Sequence, residues 1–80
     1  MNKTLKEFKP GEAGTVVRIT GQGGIRRRLL DMGITPGAEI SMRKVAPLGD
    51  PIEITVRGYQ LSLRKTEAEI VLMNITGGVI

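Results

Sequence analysis

The sequence has no cysteine, no histidine and no tryptophan, and its two aromatic residues are Phe8 and Tyr59. The absence of cysteine excludes disulfide bonds, and zinc sites lose the two residue types on which they mainly depend. Serine and cysteine nucleophiles usually need a histidine base, so the common forms of nucleophilic catalysis lose a partner as well. We therefore expect no enzyme, no metal site and no bound cofactor.

The sequence also lacks a long apolar run. A membrane-spanning helix needs roughly 20 consecutive apolar residues, and the N-terminal segment MNKTLKEFK has no apolar signal core. We therefore expect a cytoplasmic protein.

The length and charge of the chain limit its organisation. Its 80 residues are enough for a single domain, residues 1–80, with a small core. The net charge of +4 favours contact with anionic partners without identifying one.

Most of the chain alternates apolar and polar residues, which is typical of half-buried strands. This alternation predicts strands over 15–20, 38–44, Ile52–Val56, Tyr59–Leu63 and 70–75. In the first strand we expect Val17 and Ile19 to share the buried face, opposite Arg18. In the second, Ile40 and Met42 are expected to face inward. Because Gly58 tolerates a positive φ, the third and fourth strands should form a hairpin that turns there.

The apolar period changes after the first strand. Apolar residues at i, i+4 and i+7 predict a short helix, and they are Ile25, Leu29 and Met32. Gly33 suits the left-handed position just beyond a helix end, where Ile34 would pack against the helix. Pro36-Gly37 suits the centre of a type II turn into the next strand.

The C-terminal part of the chain predicts one more helical turn and a last strand. Thr66 and Glu69 have the spacing of a capping box. In the strand that follows, we expect Ile70 and Leu72 to fill the core. The opposite face is also apolar, which makes it a candidate self-association surface formed by Val71, Met73 and Ile75. The apolar tail from 73 to 80 has no assigned role.

Five short strands, tight turns and one inserted helix predict a mainly β fold. The arrangement that fits best is a small five-stranded SH3-like barrel with a short helix inserted after the first strand. An OB-fold is the structural alternative, because it is also a five-stranded barrel and periodicity does not fix the strand order.

Two features around the helix are candidate binding sites. The glycine-rich segment 21–24 links a strand to a helix, where backbone N–H groups can hold an anion. It lacks the residues of a phosphate-binding loop or a dinucleotide fingerprint, so a flexible strand-to-helix connection is the better interpretation. Beside it, Arg26, Arg27 and Arg28 suit either an acidic protein surface or nucleic-acid phosphates. A solvated helix face is the plain alternative, and the few aromatic residues argue against stacking on single strands.

The helix also carries apolar residues that are typical of a core stripe. One stripe cannot bury all of them on so short a helix, which leaves Leu30 or Met32 at a groove between the helix and the barrel. Leu30 is the residue we expect to contact a partner. The candidate partner-binding residues are therefore Arg26, Arg27, Arg28, Leu29, Leu30 and Met32.

The motifs RRRLLDMGITPG and APLGDPIEITVRGYQLSLR follow the Pro10-Gly11 turn in fixed order. Their order and spacing, between Leu5 and Leu72, resemble the ferrous-iron transport protein A (FeoA) family. The resemblance implies an SH3-like barrel and a link to transition-metal ions. It also implies binding to the cytoplasmic part of the membrane transporter FeoB, whose nucleotide-dependent Fe²⁺ uptake it would support or regulate. The helix over 26–32 maps onto the family's contact region.

A similar domain occurs at the C-terminus of iron-dependent repressors of the diphtheria-toxin-repressor type. The alternative function is therefore a nucleic-acid-binding or transcription-regulator-associated module. Such repressors carry a helix-turn-helix domain in the same chain, and 80 residues leave no space for one. We therefore expect an intermolecular protein partner, and we expect no direct nucleic-acid binding or membrane insertion.

Overall fold

A computed structural model describes residues 2–21 and 23–77 of the chain. The fold is mainly β, and its six strands are β1 (Asn2–Thr4), β2 (Ala13–Ile19), β3 (Glu39–Val45), β4 (Ile52–Val56), β5 (Tyr59–Leu63) and β6 (Val71–Gly77). Helix α1 (Gly24–Asp31) lies between β2 and β3, and helix α2 (Lys65–Ala68) lies between β5 and β6. A short 3₁₀ turn over Leu5–Glu7 follows β1.

All six strands form one antiparallel sheet in the order β1-β6-β2-β3-β4-β5. Over the described residues the sheet is not closed, and β1 and β5 are its two edges. The prediction of a five-stranded barrel is therefore corrected to an open sheet of six strands, with α1 after the second strand. Strand β1 was missed because three residues are too short to show alternation. These residues form a strand because they pair with β6, where Lys3 lies opposite Met73.

The middle of the sheet confirms the predicted alternation. In β3, Ile40 and Met42 are buried, and the same holds in β4 for Ile52, Ile54 and Val56. The β4–β5 hairpin turns at Arg57-Gly58, as predicted, and both residues have a positive φ of 50° and 83°. A two-residue turn with two left-handed residues matches the right-handed twist of the flanking strands.

Strand β2 departs from the predicted alternation. Val16 and Ile19 are buried, whereas Val17 is 39% exposed. The register of β2 against β6 shifts between Val16 and Arg18. This bulge inserts one residue and reverses the side-chain alternation beyond it. The prediction that Val17 shares the buried face with Ile19 is therefore wrong.

The buried face of β6 is the opposite of the one predicted. Val71 and Met73 are both fully buried, whereas Ile70 and Leu72 are half-buried. Both faces of β6 are apolar, so its sequence held no signal for the core face. Pairing decides it, because Met73 lies opposite the buried Val16 of β2 and cross-strand neighbours share a face.

The proposed self-association surface is thereby corrected. Val71 and Met73 lie inside the chain's own core, and the half-buried Ile75 packs against that core. The first two are not accessible to a second copy in this fold.

Helix α2 begins two residues before its predicted start. Arg64 precedes the helix, and its backbone N–H donates to Glu67 Oε1 at 2.8 Å. The predicted capping pair of Thr66 and Glu69 is therefore wrong. The end of β5 at Leu63 and the burial of Ala68 fix where the helix starts, and neither is visible in local sequence.

Candidate functional site

Helix α1 brings together most of the residues predicted to bind a partner. It follows the glycine-rich segment, in which Gly21 and Gly23 have φ values of 82° and 88°. Residues with a side chain rarely adopt such φ values, so glycine allows the sharp entry into the helix. Gln22, the remaining member of the predicted anion-binding segment, lies outside the described residues.

The C-terminal end of α1 has the predicted cap. Gly33 has a φ of 93° and its N–H donates to the Leu30 carbonyl at 3.0 Å. The N–H of Ile34 donates to the Leu29 carbonyl at 3.0 Å, and both side chains are fully buried. These two hydrogen bonds and the apolar contact define a Schellman motif, which fixes where the chain leaves the helix.

The β4–β5 hairpin holds this end of α1, which the sequence did not predict. Arg57 Nε donates to the Gly33 carbonyl at 3.1 Å, and an Arg57 amino group donates to Thr35 Oγ1 at 2.6 Å. The Tyr59 hydroxyl donates to the Met32 carbonyl. A long-range contact of this kind leaves no periodic signal in the sequence.

The side of α1 that faces α2 is held by an ion pair. Arg28 lies 3.1 Å from Glu67 Oε2, and the Glu67 side chain is only 4% exposed. The other carboxylate oxygen accepts the Arg64 backbone N–H. Arg28 was predicted to bind a partner together with its neighbours. In the structure it is occupied by an intramolecular contact that orients the helix.

Arg26 and Arg27 remain available. Both are exposed, and over residues 2–21 and 23–77 neither forms an ion pair. They border a groove of about 580 Å³, the glycine–arginine groove, whose lining residues are Gly21, Gly23, Gly24, Arg26, Arg27, Leu30 and Asp31. Two cations against one carboxylate make this groove electropositive.

The apolar residues of α1 divide between core and surface. Leu29 is fully buried, so its place among the predicted partner contacts is corrected to the core. Leu30 and Met32 are half-buried and pack against the core from its rim. Ile25 was expected on the buried stripe, but it is 46% exposed at the start of the helix.

Sequence reasoning also missed an exposed apolar residue far from α1. Leu48 lies in the loop between β3 and β4 and is 94% exposed. An apolar residue between Pro47 and Gly49, two residues typical of loops, was the available signal.

No group of three or more His, Cys, Asp or Glu side chains in the described part of the chain is arranged to hold a metal ion. None of the helices within the described ranges is long and apolar enough to cross a bilayer.

Comparison with known proteins identifies the family. The FeoA domain model matches residues 3–74. The Fe(2+) transport protein A/Fe(2+) transporter FeoB fusion protein of Porphyromonas gingivalis is 36% identical over 77 residues. The match covers 90% of this chain but 9% of the fusion protein, so the chain spans about a tenth of that relative's length.

Solved structures agree with this assignment. The NMR structure of a FeoA-like protein from Clostridium acetobutylicum is 40% identical, with a TM-score of 0.87 over 92% of this chain and 86% of that one. The Stenotrophomonas maltophilia FeoA, an SH3 domain protein complexed with zinc, is 28% identical, with a TM-score of 0.79 over 89% and 88%. The predicted SH3-like fold is confirmed by this likeness, and the sequence and fold together show that the chain belongs to the FeoA domain family.

Proposed function

We propose that this chain acts in ferrous-iron uptake by docking on the cytoplasmic part of a FeoB-type transporter and supporting or regulating its nucleotide-dependent Fe²⁺ transport. The Porphyromonas gingivalis fusion protein carries the proposal, because there a related FeoA sequence and FeoB form one polypeptide. Two modules that work together in one chain are expected to bind each other when they are separate chains.

The docking surface is the outer α1 face, defined here by Arg26, Arg27 and Leu30, which line the glycine–arginine groove. The two arginines have no carboxylate partner within the described residues, so they can pair with acidic groups of another protein. Leu30 lies beside them, half-buried, and supplies an apolar contact at the centre of the face. Interfaces commonly combine an apolar anchor with arginine.

The contacts at α1 favour binding in a second way. The Arg57 hydrogen bonds hold the C-terminal end of the helix, and the Arg28–Glu67 ion pair holds its side. A helix that is already positioned loses less conformational entropy on binding than a mobile one. The outer α1 face is therefore presented in a fixed orientation before the partner arrives.

A calorimetric titration of the purified chain into the cytoplasmic part of FeoB tests the proposal. We expect saturable binding, measured without nucleotide, with GDP and with a GTP analogue. Leu30→Ala and the double variant Arg26→Ala/Arg27→Ala should each weaken binding by about tenfold, as expected for central interface residues. The matched control is Arg43→Ala, an exposed arginine on β3 that lies outside the face.

Two outcomes would contradict the proposal. The first is the absence of binding in every nucleotide state while both proteins are folded. The second is an equal loss of affinity for Arg43→Ala and the α1 double variant, which would show an effect of net charge alone.

Leu29→Ala distinguishes a core residue from a contact residue. Removal of this fully buried side chain should lower the free energy of unfolding by roughly 2–5 kcal/mol.

Nucleic-acid binding is the second candidate function, because Arg26 and Arg27 form no ion pair with any described residue. This function predicts an oligonucleotide affinity that falls steeply with salt, with a log-log slope of about −0.9 per phosphate contacted on duplex DNA. A weak oligonucleotide affinity that does not change with salt concentration would exclude this function.

A further inference from the structure

Within the part of the chain that the structure describes, strand β5 is an edge of the open sheet. It hydrogen-bonds with β4 on one side, from Val56 opposite Tyr59 to Ile52 opposite Leu63. Among the described residues, no backbone hydrogen bond joins β5 to any element other than β4. One row of its backbone N–H and C=O groups therefore faces outward.

The register identifies these outward groups. Val56 and Tyr59 close the two-residue turn as a hydrogen-bonded pair, and such pairs alternate with non-hydrogen-bonded ones along an antiparallel ladder. Gln60 and Ser62 occupy the non-hydrogen-bonded positions, so their backbone groups point away from β4. Both residues are exposed. They offer two donors and two acceptors to an added strand.

The edge lacks the features that usually protect against strand addition. Such features are charged residues, proline, a bulge or a very short strand. The residues of β5 include no charge and no proline, and its five pairs with β4 run without a register shift. The opposite edge, β1, has only three residues, so it offers little to pair with.

Three cations flank the uncharged strand. Arg57 precedes it, and Arg64 and Lys65 follow it; all three are exposed. Within residues 2–21 and 23–77 none of the three side chains forms an ion pair; the Asp50 carboxylate accepts the backbone N–H of Lys65 at 2.9 Å and does not contact its ammonium group. The hydrogen bonds of the Arg57 side chain go to a carbonyl and a hydroxyl, both neutral, so no carboxylate of the described residues pairs with its charge.

This charge pattern distinguishes between possible occupants. If two copies paired their β5 strands antiparallel about Leu61, the register would set Arg57 opposite Lys65 of the second copy. Cations would then face each other at both ends of the added pair, which is unfavourable. A segment with carboxylates at its ends would instead meet the cations with opposite charge.

We propose that the β5 edge binds an extended segment of a partner protein, which pairs antiparallel or parallel as a seventh strand and has an uncharged middle between acidic ends. Backbone hydrogen bonds to Gln60 and Ser62 provide affinity, and the flanking cations select the acidic ends. The half-buried Leu61 lies between them and offers an apolar contact. This surface is separate from the outer α1 face and does not depend on the identity of the partner there.

The test uses the full chain and a capped, fluorescent peptide of sequence Glu-Glu-Thr-Val-Thr-Val-Glu-Glu. One control peptide replaces the four glutamates by lysine, and a second replaces both valines by proline, which retains the charge but prevents strand pairing. We expect saturable binding of the first peptide in fluorescence anisotropy, and binding weaker by about tenfold or more for both controls. Hydrogen exchange should slow at the Gln60 and Ser62 amides when the first peptide is bound.

Two variants separate backbone pairing from charge. Ser62→Pro removes an outward N–H while the neighbouring bonds to β4 remain, and Ser62→Ala is its matched control. The double variant Arg64→Glu/Lys65→Glu leaves the backbone unchanged, so it remains informative if the proline variant fails to fold. It should lower the affinity for the acidic peptide and raise it for the lysine peptide.

Any of four results would overturn the proposal. They are no saturable binding of the acidic peptide, equal binding of the proline peptide, slowed exchange at α1 in place of β5, and a concentration-dependent dimer that protects Gln60 and Ser62 without peptide. The last result would make a second copy the occupant. Because the assay contains no transporter, none of these results would contradict FeoB docking by α1.

Discussion

Glu67 is a buried carboxylate that joins α2 to α1. One oxygen accepts the Arg64 backbone N–H at 2.8 Å, and the other lies 3.1 Å from the Arg28 guanidinium. Its side chain is only 4% exposed, so the carboxylate has little access to water and relies on these two partners. A single residue thus caps one helix and positions the other.

Glu67→Ala should therefore be destabilising. The change leaves the Arg64 N–H without its acceptor and Arg28 without its counter-ion, and a hydrogen bond to a charged group contributes about 1.5–3 kcal/mol to stability. The expected result is a decrease of this size in the free energy of unfolding, measured by urea denaturation.

Glu69→Ala is the matched control, because Glu69 is 48% exposed and 3.6 Å from Lys6. An exposed ion pair contributes at most about 1 kcal/mol. If the two variants lost equal stability, the role assigned to Glu67 would be wrong.

At the scale of elements, α1 depends on its glycines to different degrees. Gly33 has a φ of 93°, and a Cβ there would lie 3.3 Å from Arg57 Cδ. Gly24, the first residue of α1, has no positive φ, and a Cβ there would meet no atom within 4 Å. The end of the helix therefore requires glycine, and its beginning does not.

We expect Gly33→Ala to lower the free energy of unfolding by about 1–2 kcal/mol, the cost of a left-handed conformation for a residue with a side chain. Gly24→Ala should leave stability unchanged or raise it by about 0.4–1 kcal/mol, because it restricts the unfolded chain. Thermal denaturation of both variants tests this. A larger loss for Gly24→Ala than for Gly33→Ala would contradict the assignment of the helix cap.

At the scale of the whole molecule, two carboxylates link stability to pH. Hydrogen bonds from the Thr4 backbone N–H and hydroxyl lower the pKa of Glu7. The Lys9 backbone N–H, and then the Lys3 ammonium, lower the pKa of Glu12. Both carboxylates lie in the segment that leads from the edge strand β1 to β2. Protonation should therefore weaken the attachment of this edge to the sheet.

The direction of the pH effect follows from these lowered pKa values. The folded state binds protons less readily than the unfolded state, so the stabilisation is complete above the ordinary carboxyl pKa of about 4.3 and is lost as the pH falls through the lower folded values. The double variant Glu7→Gln/Glu12→Gln should show a shallower loss of thermal stability over this acidic range. If the double variant lost thermal stability with falling pH as steeply as the unmodified chain, the role assigned to these two carboxylates would be wrong.

The sequence by itself determined the elements whose signal is local. The alternation in β3 and β4, the Gly58 hairpin and the Gly33 helix end all depend on residues close together in the chain, and the structure confirms each. The family motifs also lie in the sequence, and with them the SH3-like fold class.

Only the tertiary structure decided the features that depend on pairing between distant residues. The β2 bulge, the core face of β6 and the existence of β1 are all set by cross-strand register, which local alternation does not encode. The same holds for the site. Ile25 and Leu29 share the apolar period of α1, yet packing buries Leu29 completely and leaves Ile25 46% exposed, because Ile25 lies in the first turn of the helix, away from the residues that contact the core.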